Sequence, residues 1–137
     1  MALQVEVAAG VIRDGQGRVL LCRRSGGALD GLWEFPGGKR EKGETFQQCL
    51  ERELKEELDL AVTAGPSLGT VTRRETQRTL FLVFVSATCA PDAALSLHVH
   101  QKAAWVYPEE LDAYPLCPAD RAFVSEWLEA QKTQKNG

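Results

Sequence analysis

From Gly37 to Leu60 the chain reads GGKREKGETFQQCLERELKEELDL, and the second half of this stretch leaves the backbone little choice. Thr45 and Gln48 have capping-box spacing, which makes Thr45 the N-cap with Gln48 reaching back to it. Phe46 to Leu58 contains neither Gly nor Pro, and Leu, Glu, Gln, Lys and Arg, all good helix formers, dominate it. Wound at about 100° per residue, Phe46, Cys49, Leu50, Leu54 and Leu58 share one broad side that faces the protein body. Glu53 and Glu57 fall inside that apolar sector, and Glu56 lies at its edge beside Cys49. Glu53 and Glu57 are also a like-charge pair four residues apart. Glu56, Glu57 and Asp59 crowd the helix end that favours cations. Local rules broken together in one place point to a site.

Acidic helix faces are usually just solvated. Here the inward phase and the lead-in Gly37-Gly38 argue otherwise, because glycine lets a backbone approach a ligand closely. Hard oxygen donors beside such a loop suit magnesium, which takes carboxylates, carbonyls, waters and substrate phosphates.

The fixed positions are Gly38, Glu44, Arg52-Glu53-Leu54, Glu56-Glu57 and Asp59-Leu60. Their spacing resembles the Nudix box at every defining position but one, Asp59 standing where the family has Gly. Asp tolerates a left-handed backbone better than most residues, so a helix-ending turn is still expected there. The resemblance implies a Nudix fold of the α+β class, an α/β/α sandwich around a mixed β-sheet. It implies Mg2+ or Mn2+ held by Glu53, Glu56, Glu57 and the Gly37 carbonyl. Glu53 is the candidate general base and Glu56 the second choice. Arg52 would orient a box carboxylate, and Glu44 would support the site from outside.

The rest of the chain carries further parts of the likeness. Arg24 closes a strand where MutT-type members place an arginine on the nucleotide, although charges at a strand end are often only solvated. Leu32-Trp33-Glu34-Phe35-Pro36-Gly37-Gly38 resembles the segment lining the base pocket of those enzymes, which makes Glu34, Phe35 and Gly38 substrate-binding candidates. Trp33 reads as core. Asp120 in Cys117-Pro118-Ala119-Asp120 is either a first-turn acid complementing a helix dipole or the counterpart of a residue that reads the base. An ionised carboxylate only accepts hydrogen bonds, which favours guanine, 8-oxoguanine or cytosine edges. Around His98-Val99-His100, relatives commonly read Glu-His in place of Val99-His100. Val99 can neither bind a metal nor act as base, which shifts catalysis onto the box. His98 and His100 would point the same way on a strand, yet without another His or a nearby Cys they make a poor zinc site.

The 137 residues are expected to form one domain over 1–131 and a polar tail over 132–137. A net charge of −3 argues against a general nucleic-acid surface. No apolar run is long enough for a membrane span, and the start lacks a signal-peptide layout. Cys22, Cys49, Cys89 and Cys117 form no C-x-x-C pair, so neither zinc ribbon nor disulfide framework is indicated and a cytoplasmic setting is expected. Expected strands are Val5–Ile12 and Val19–Cys22 as a hairpin across Asp14–Gly17, then Ala61–Thr63 and Leu68–Arg74 around a break at Gly65-Pro66. After a polar turn at Glu75–Arg78 come Thr79–Val85, buried on both faces, a short strand or loop edge at Leu95–Leu97, and Ala103–Tyr107. A short helix starts at Pro108, and Pro118 opens a final amphipathic helix with Phe123, Val124, Trp127 and Leu128 as its stripe.

Together these features describe a monomeric or homodimeric enzyme acting on a small-molecule nucleotide. The leading reading is a nucleotide-pool pyrophosphatase that converts 8-oxo-dGTP or a cytidine triphosphate to monophosphate and pyrophosphate. A hydrolase of ADP-ribose or another nucleoside diphosphate derivative is the alternative, and a non-catalytic nucleotide sensor the third. An adenine-glycosylase accessory domain fits poorly, since the box is intact.

Overall fold

The computed structural model describes residues 3–136. Strand β1 (Leu3–Arg13) is the axis of a seven-stranded sheet. Along one side it pairs in parallel with β6 (Arg78–Cys89) over its whole length, from Leu3 opposite Arg78 to Arg13 opposite Thr88. Its other side is shared. Antiparallel β4 (Gly37–Lys39) holds the stretch around Val7 to Ala9, and β2 (Val19–Arg24) touches β1 only where Arg13 meets Val19. The expected β1–β2 hairpin is therefore confined to its turn, where Asp14 Oδ1 accepts the N–H groups of Gln16 and Arg18. Beyond that turn β2 departs and pairs with β7 (His100–Val106) and with the two-residue β3 (Trp33–Glu34). This departure opens the sheet between β1 and β2, and β4 fills the gap.

Alternation along the strands loads both faces. Ala8, Ile12, Leu20, Cys22, Val83 and Val85 pack on one side against Cys49, Leu50, Leu54 and Leu58 of helix α1 (Phe46–Leu58). Ala9, Val11, Val19, Leu21, Leu82 and Phe84 pack on the other against Phe123, Val124 and Trp127 of helix α2 (Pro118–Asn136). The rings of Phe84 and Phe123 stack 4.2 Å apart, and Phe35 meets both edge-on. The result is the α/β/α sandwich with a mixed sheet that the resemblance implied.

Several local expectations are met closely. Thr45 caps α1 in a full capping box with Gln48, and Asp59 ends the helix in the left-handed region at φ 53°. The N–H groups of Asp59 and Leu60 return to Lys55 O and Leu54 O, which closes the last turn. Pro108–Ala113 is a short 3-10 helix.

Other expectations are corrected or narrowed. The segments around Gly65-Pro66 form one strand, β5 (Val62–Arg74), which bulges between Ala64 and Gly69 instead of breaking. Of the two alternatives for Leu95–Leu97 the loop is the one found, with Ser96 N–H capping the Leu58 carbonyl at the end of α1. Trp33 does pack against the core, but from its margin, partly buried and edge-on to Tyr114. The stretch expected as a tail continues α2 to Asn136, and Gly137 lies outside the described residues.

Candidate active site

The site is assembled where β4 passes under α1. Neither Gly37 nor Gly38 has room for a side chain: a Cβ on Gly37 would run into the Ala8 carbonyl oxygen, and one on Gly38 into the Glu53 carboxyl group. The close approach of β4 to β1 and the seating of Glu53 thus both depend on bare backbone. One turn earlier on the helix, Cys49 Sγ lies 3.5 Å from the Gly38 carbonyl, which ties α1 to the loop a second time.

Arg52 organises the carboxylates around this junction. Its Nε and Nη2 fork onto the two oxygens of Glu44 at 3.1 and 2.7 Å, while Nη1 donates to Glu53 Oε1 at 3.0 Å. Nη2 also meets the Lys39 carbonyl at 3.1 Å, and Glu56 stands 3.5 Å from Nη1. The Arg52 hydrogen bonds hold Glu44 down at about 2, helped by the N–H of Glu41. Arg52 thus joins two box carboxylates, Glu44 and Glu53, through one guanidinium.

Glu57 has the opposite environment. Burial pushes its carboxyl up to about 7, against the pull of His100 and with reinforcement from Glu53 and Glu34. No side-chain cation is hydrogen-bonded to it among the described residues. Among those residues no three His, Cys, Asp or Glu side chains converge tightly enough to enclose an ion as they stand, since Arg52 draws Glu53 aside and Glu56 points to solvent. The donor chemistry nevertheless fits magnesium or manganese. Glu53, Glu57 and the Gly37 backbone are hard oxygen donors, and a cation would offset the burial and the neighbouring carboxylates that raise Glu57.

These groups form one wall of a cavity of about 650 Å³. Gly37, Gly38, Glu53 and Glu57 line it together with Arg24, Glu34, Phe35 and Asp120. Its apolar floor is Val5, Val7, Ala9, Leu80 and Leu82 from β1 and β6. Arg52, Glu44 and Glu56 are not in its lining; they brace the helix behind it. Sequence reasoning missed Lys39, Arg73, Arg78 and His100, which line the same cavity. The three cations sit in β-strands or at their ends, and only the sheet topology brings them to this face.

Asp120 stands in the first turn of α2 and also lines the cavity. Its side chain is enclosed, with the residue 4% exposed, and Oδ1 accepts the Phe35 N–H at 2.9 Å. Burial pushes the carboxyl up to about 8, opposed by that N–H and helped by the charge of Glu34. A carboxyl raised in this way keeps its proton further up the pH scale than a free one, and while protonated it can donate as well as accept. Phe35 itself is a core ring. Cys117 also lines the cavity, but burial pushes its thiol up to about 12, leaving it unreactive.

The two histidines do not share a strand. His98 lies in the loop before β7 and bonds Asp59 Oδ2 at 2.8 Å, latching that loop to the end of α1. His100 opens β7 and bonds Glu34 Oε2 at 3.0 Å. Val99 between them is half exposed at the cavity rim.

The family model of the NUDIX domain matches residues 3–127. The chain belongs to the NUDIX family. It is 40% identical over 127 residues to the CTP pyrophosphohydrolase of Escherichia coli (strain K12), spanning 90% of this chain and 91% of that protein. It is 41% identical over 86 residues to an 8-oxo-dGTP diphosphatase of Proteus vulgaris, spanning 62% of this chain and 77% of that one. The solution structure of the E. coli ORF135 protein superposes with a TM-score of 0.81 at 35% identity, covering 95% of this chain and 92% of that one. As a Nudix hydrolase the protein is an enzyme of diphosphate bonds. No helix among its described residues is long and apolar enough to cross a membrane.

Proposed function

We propose that this Nudix hydrolase cleaves a nucleoside triphosphate to its monophosphate and pyrophosphate with magnesium or manganese, and that its substrate is a cytidine or an 8-oxoguanine nucleotide. The observation that carries this reading is the continuity of the cavity. A single space joins the carboxylates at Gly37-Gly38 to the enclosed Asp120 carboxyl, over an apolar floor suited to the face of a base. The relatives named for CTP and for 8-oxo-dGTP support the substrate class.

In this reading Glu53, Glu57 and the Gly37 carbonyl hold the cation, with Glu56 at the margin. When bound, the cation neutralises the diphosphate and acidifies water. Glu53 is also the base that accepts the proton of the attacking water, its Oε1 steadied by Arg52. It is the stronger base candidate because it lines the cavity, whereas Glu56 faces solvent. Arg24 steadies the nucleotide from the opposite wall. Asp120, with one oxygen committed to Phe35, offers a proton and a lone pair to a base edge that presents an acceptor beside a donor. N3 and N4–H2 of cytosine are such an edge.

The test is release of pyrophosphate and monophosphate from CTP, dCTP, 8-oxo-dGTP, the other common triphosphates and ADP-ribose, with magnesium or with chelator. Metal-dependent turnover of a cytidine triphosphate or 8-oxo-dGTP is expected. Turnover of ADP-ribose alone would refute the base-pocket assignment, and nucleotide binding without any turnover would make the domain a sensor.

A further inference from the structure

Side chains from β2 and β7 meet on the Glu34 carboxylate of β3. Oε1 accepts from Arg24 Nη1 and Oε2 bonds His100 Nε2, each at 3.0 Å. The backbone builds this convergence. Glu34 is the pairing partner of Cys22 on β2, and the β2–β7 ladder slips at its end, so that Arg24 meets His100 after Arg23 has met Lys102. Regular pairing would have set Gln101 opposite Arg24. The bulge instead brings His100 to the same face as Arg24 and leaves Gln101 free to bond Asp30 at 2.9 Å.

The bonding fixes the chemistry of the ring. A carboxylate accepts only, so Nε2 carries a proton. The side chain is 4% exposed, and its Nδ1 has no partner; Arg24 Nε is likewise buried and unmatched. Unmatched buried polar atoms cost free energy, and here two lie within one three-residue cluster on the cavity wall.

We propose that His100 is a positioning residue for nucleotide binding. By holding Oε2 of Glu34 it fixes the oxygen on which Arg24 docks, and so sets where the Arg24 guanidinium meets the substrate. Glu34 alone, on a two-residue strand, has two oxygens free to rotate; with His100 on one of them, the other points in a single direction. The inference rests on the reading of the cavity as a nucleoside triphosphate site.

Steady-state kinetics with magnesium on CTP and 8-oxo-dGTP tests it in His100→Ala, His100→Gln, Glu34→Ala and the double variant Glu34→Ala/His100→Ala. His100→Ala is expected to raise KM about tenfold, the scale of one charge-assisted hydrogen bond, with kcat within about twofold of wild type. His100→Gln should recover most of the loss, because its amide N–H reaches the same oxygen. The double variant should have a KM no higher than Glu34→Ala alone. A fall in kcat at constant KM, a Gln variant as impaired as Ala, or additive losses would each overturn the proposal. Nitrogen NMR of the His100 ring in the free protein gives a readout apart from turnover: a proton on Nε2 is expected, and a ring protonated only on Nδ1 would break the link to Glu34. Should the wild type hydrolyse neither triphosphate, the functional reading fails by itself, and the calorimetric Kd for CTP replaces KM in the same comparisons.

Discussion

The backbone N–H of Phe35 donates to Asp120 Oδ1 at 2.9 Å, joining residues 85 positions apart in the wall of the cavity. The backbone N–H groups of Phe35 and Asp120 compensate poorly for enclosing a carboxylate, so burial dominates and pushes the group up from 3.8 to about 8. The folded protein holds a proton there that the unfolded chain has released. Stability from this group is therefore intact below about pH 4 and is lost as pH rises toward 8. Glu57, raised to about 7, acts in the same direction. Glu44, held at about 2, acts oppositely but only in acid. In chelator, the melting temperature of the wild type should fall between pH 5 and 8. Asp120→Asn keeps the acceptor for Phe35 and carries no charge, so its melting temperature should fall less. Identical slopes would show that Asp120 is not the buried acid.

Glu57→Gln separates chemistry from folding. It removes a carboxylate that burial already disfavours as an anion, so at neutral pH the variant without metal should melt no lower than wild type. Turnover should drop by more than about 100-fold, beyond what outer-shell partners of a metal site cost. Added magnesium should shift its melting temperature less than it shifts that of wild type. A fully active variant would remove Glu57 from the metal set.

Helix α1 was legible because its information is local. The Thr45–Gln48 box, the unbroken run of helix formers and the inward phase of Glu53 and Glu57 all lie within fifteen residues, and Asp59 announced the turn that ends it. The resemblance supplied Glu34, Phe35 and Asp120, and the sheet brings them into one cavity. What stayed hidden depends on long-range pairing. Nothing in Val19–Arg24 states that β7, not β1, is its main neighbour, so Arg24 and Glu34 could be named as candidates but their meeting with His100 had no sequence signal. The upward shift of Asp120 was equally hidden, since it follows from burial rather than from residue type.

Arg52 spans Glu44 with two nitrogens while Nη1 reaches Glu53. A lysine supplies the charge without the fork. Arg52→Lys should retain the fold and lose kcat by about 10–100-fold, the usual cost of disturbing an outer-shell partner. Arg52→Ala should lose more and also lower the melting temperature, because it leaves Glu44 and Glu53 facing each other unpaired. If Lys matched wild type in kcat, the bidentate geometry would have no role in setting Glu53.

The two glycines of β4 make different demands, and substituting each with alanine tells them apart. At Gly37 an added methyl meets backbone, the Ala8 carbonyl of the central strand, which cannot move without disturbing the β1–β4 pairing. Gly37→Ala should therefore lower stability, by roughly 1–3 kcal/mol if the sheet yields as an overpacked core does, and activity should fall with it. At Gly38 the methyl meets the carboxyl end of Glu53. That side chain has rotamers to escape into, so the fold should hold, but only by turning Glu53 away from the cavity. Gly38→Ala is expected to melt close to wild type and to lose kcat steeply, with nucleotide affinity largely kept. Urea titration beside single-turnover hydrolysis reads both effects. Equal losses of stability in the two variants, or a Gly38→Ala enzyme of normal kcat, would mean that Glu53 is not held in place by the bare backbone of Gly38.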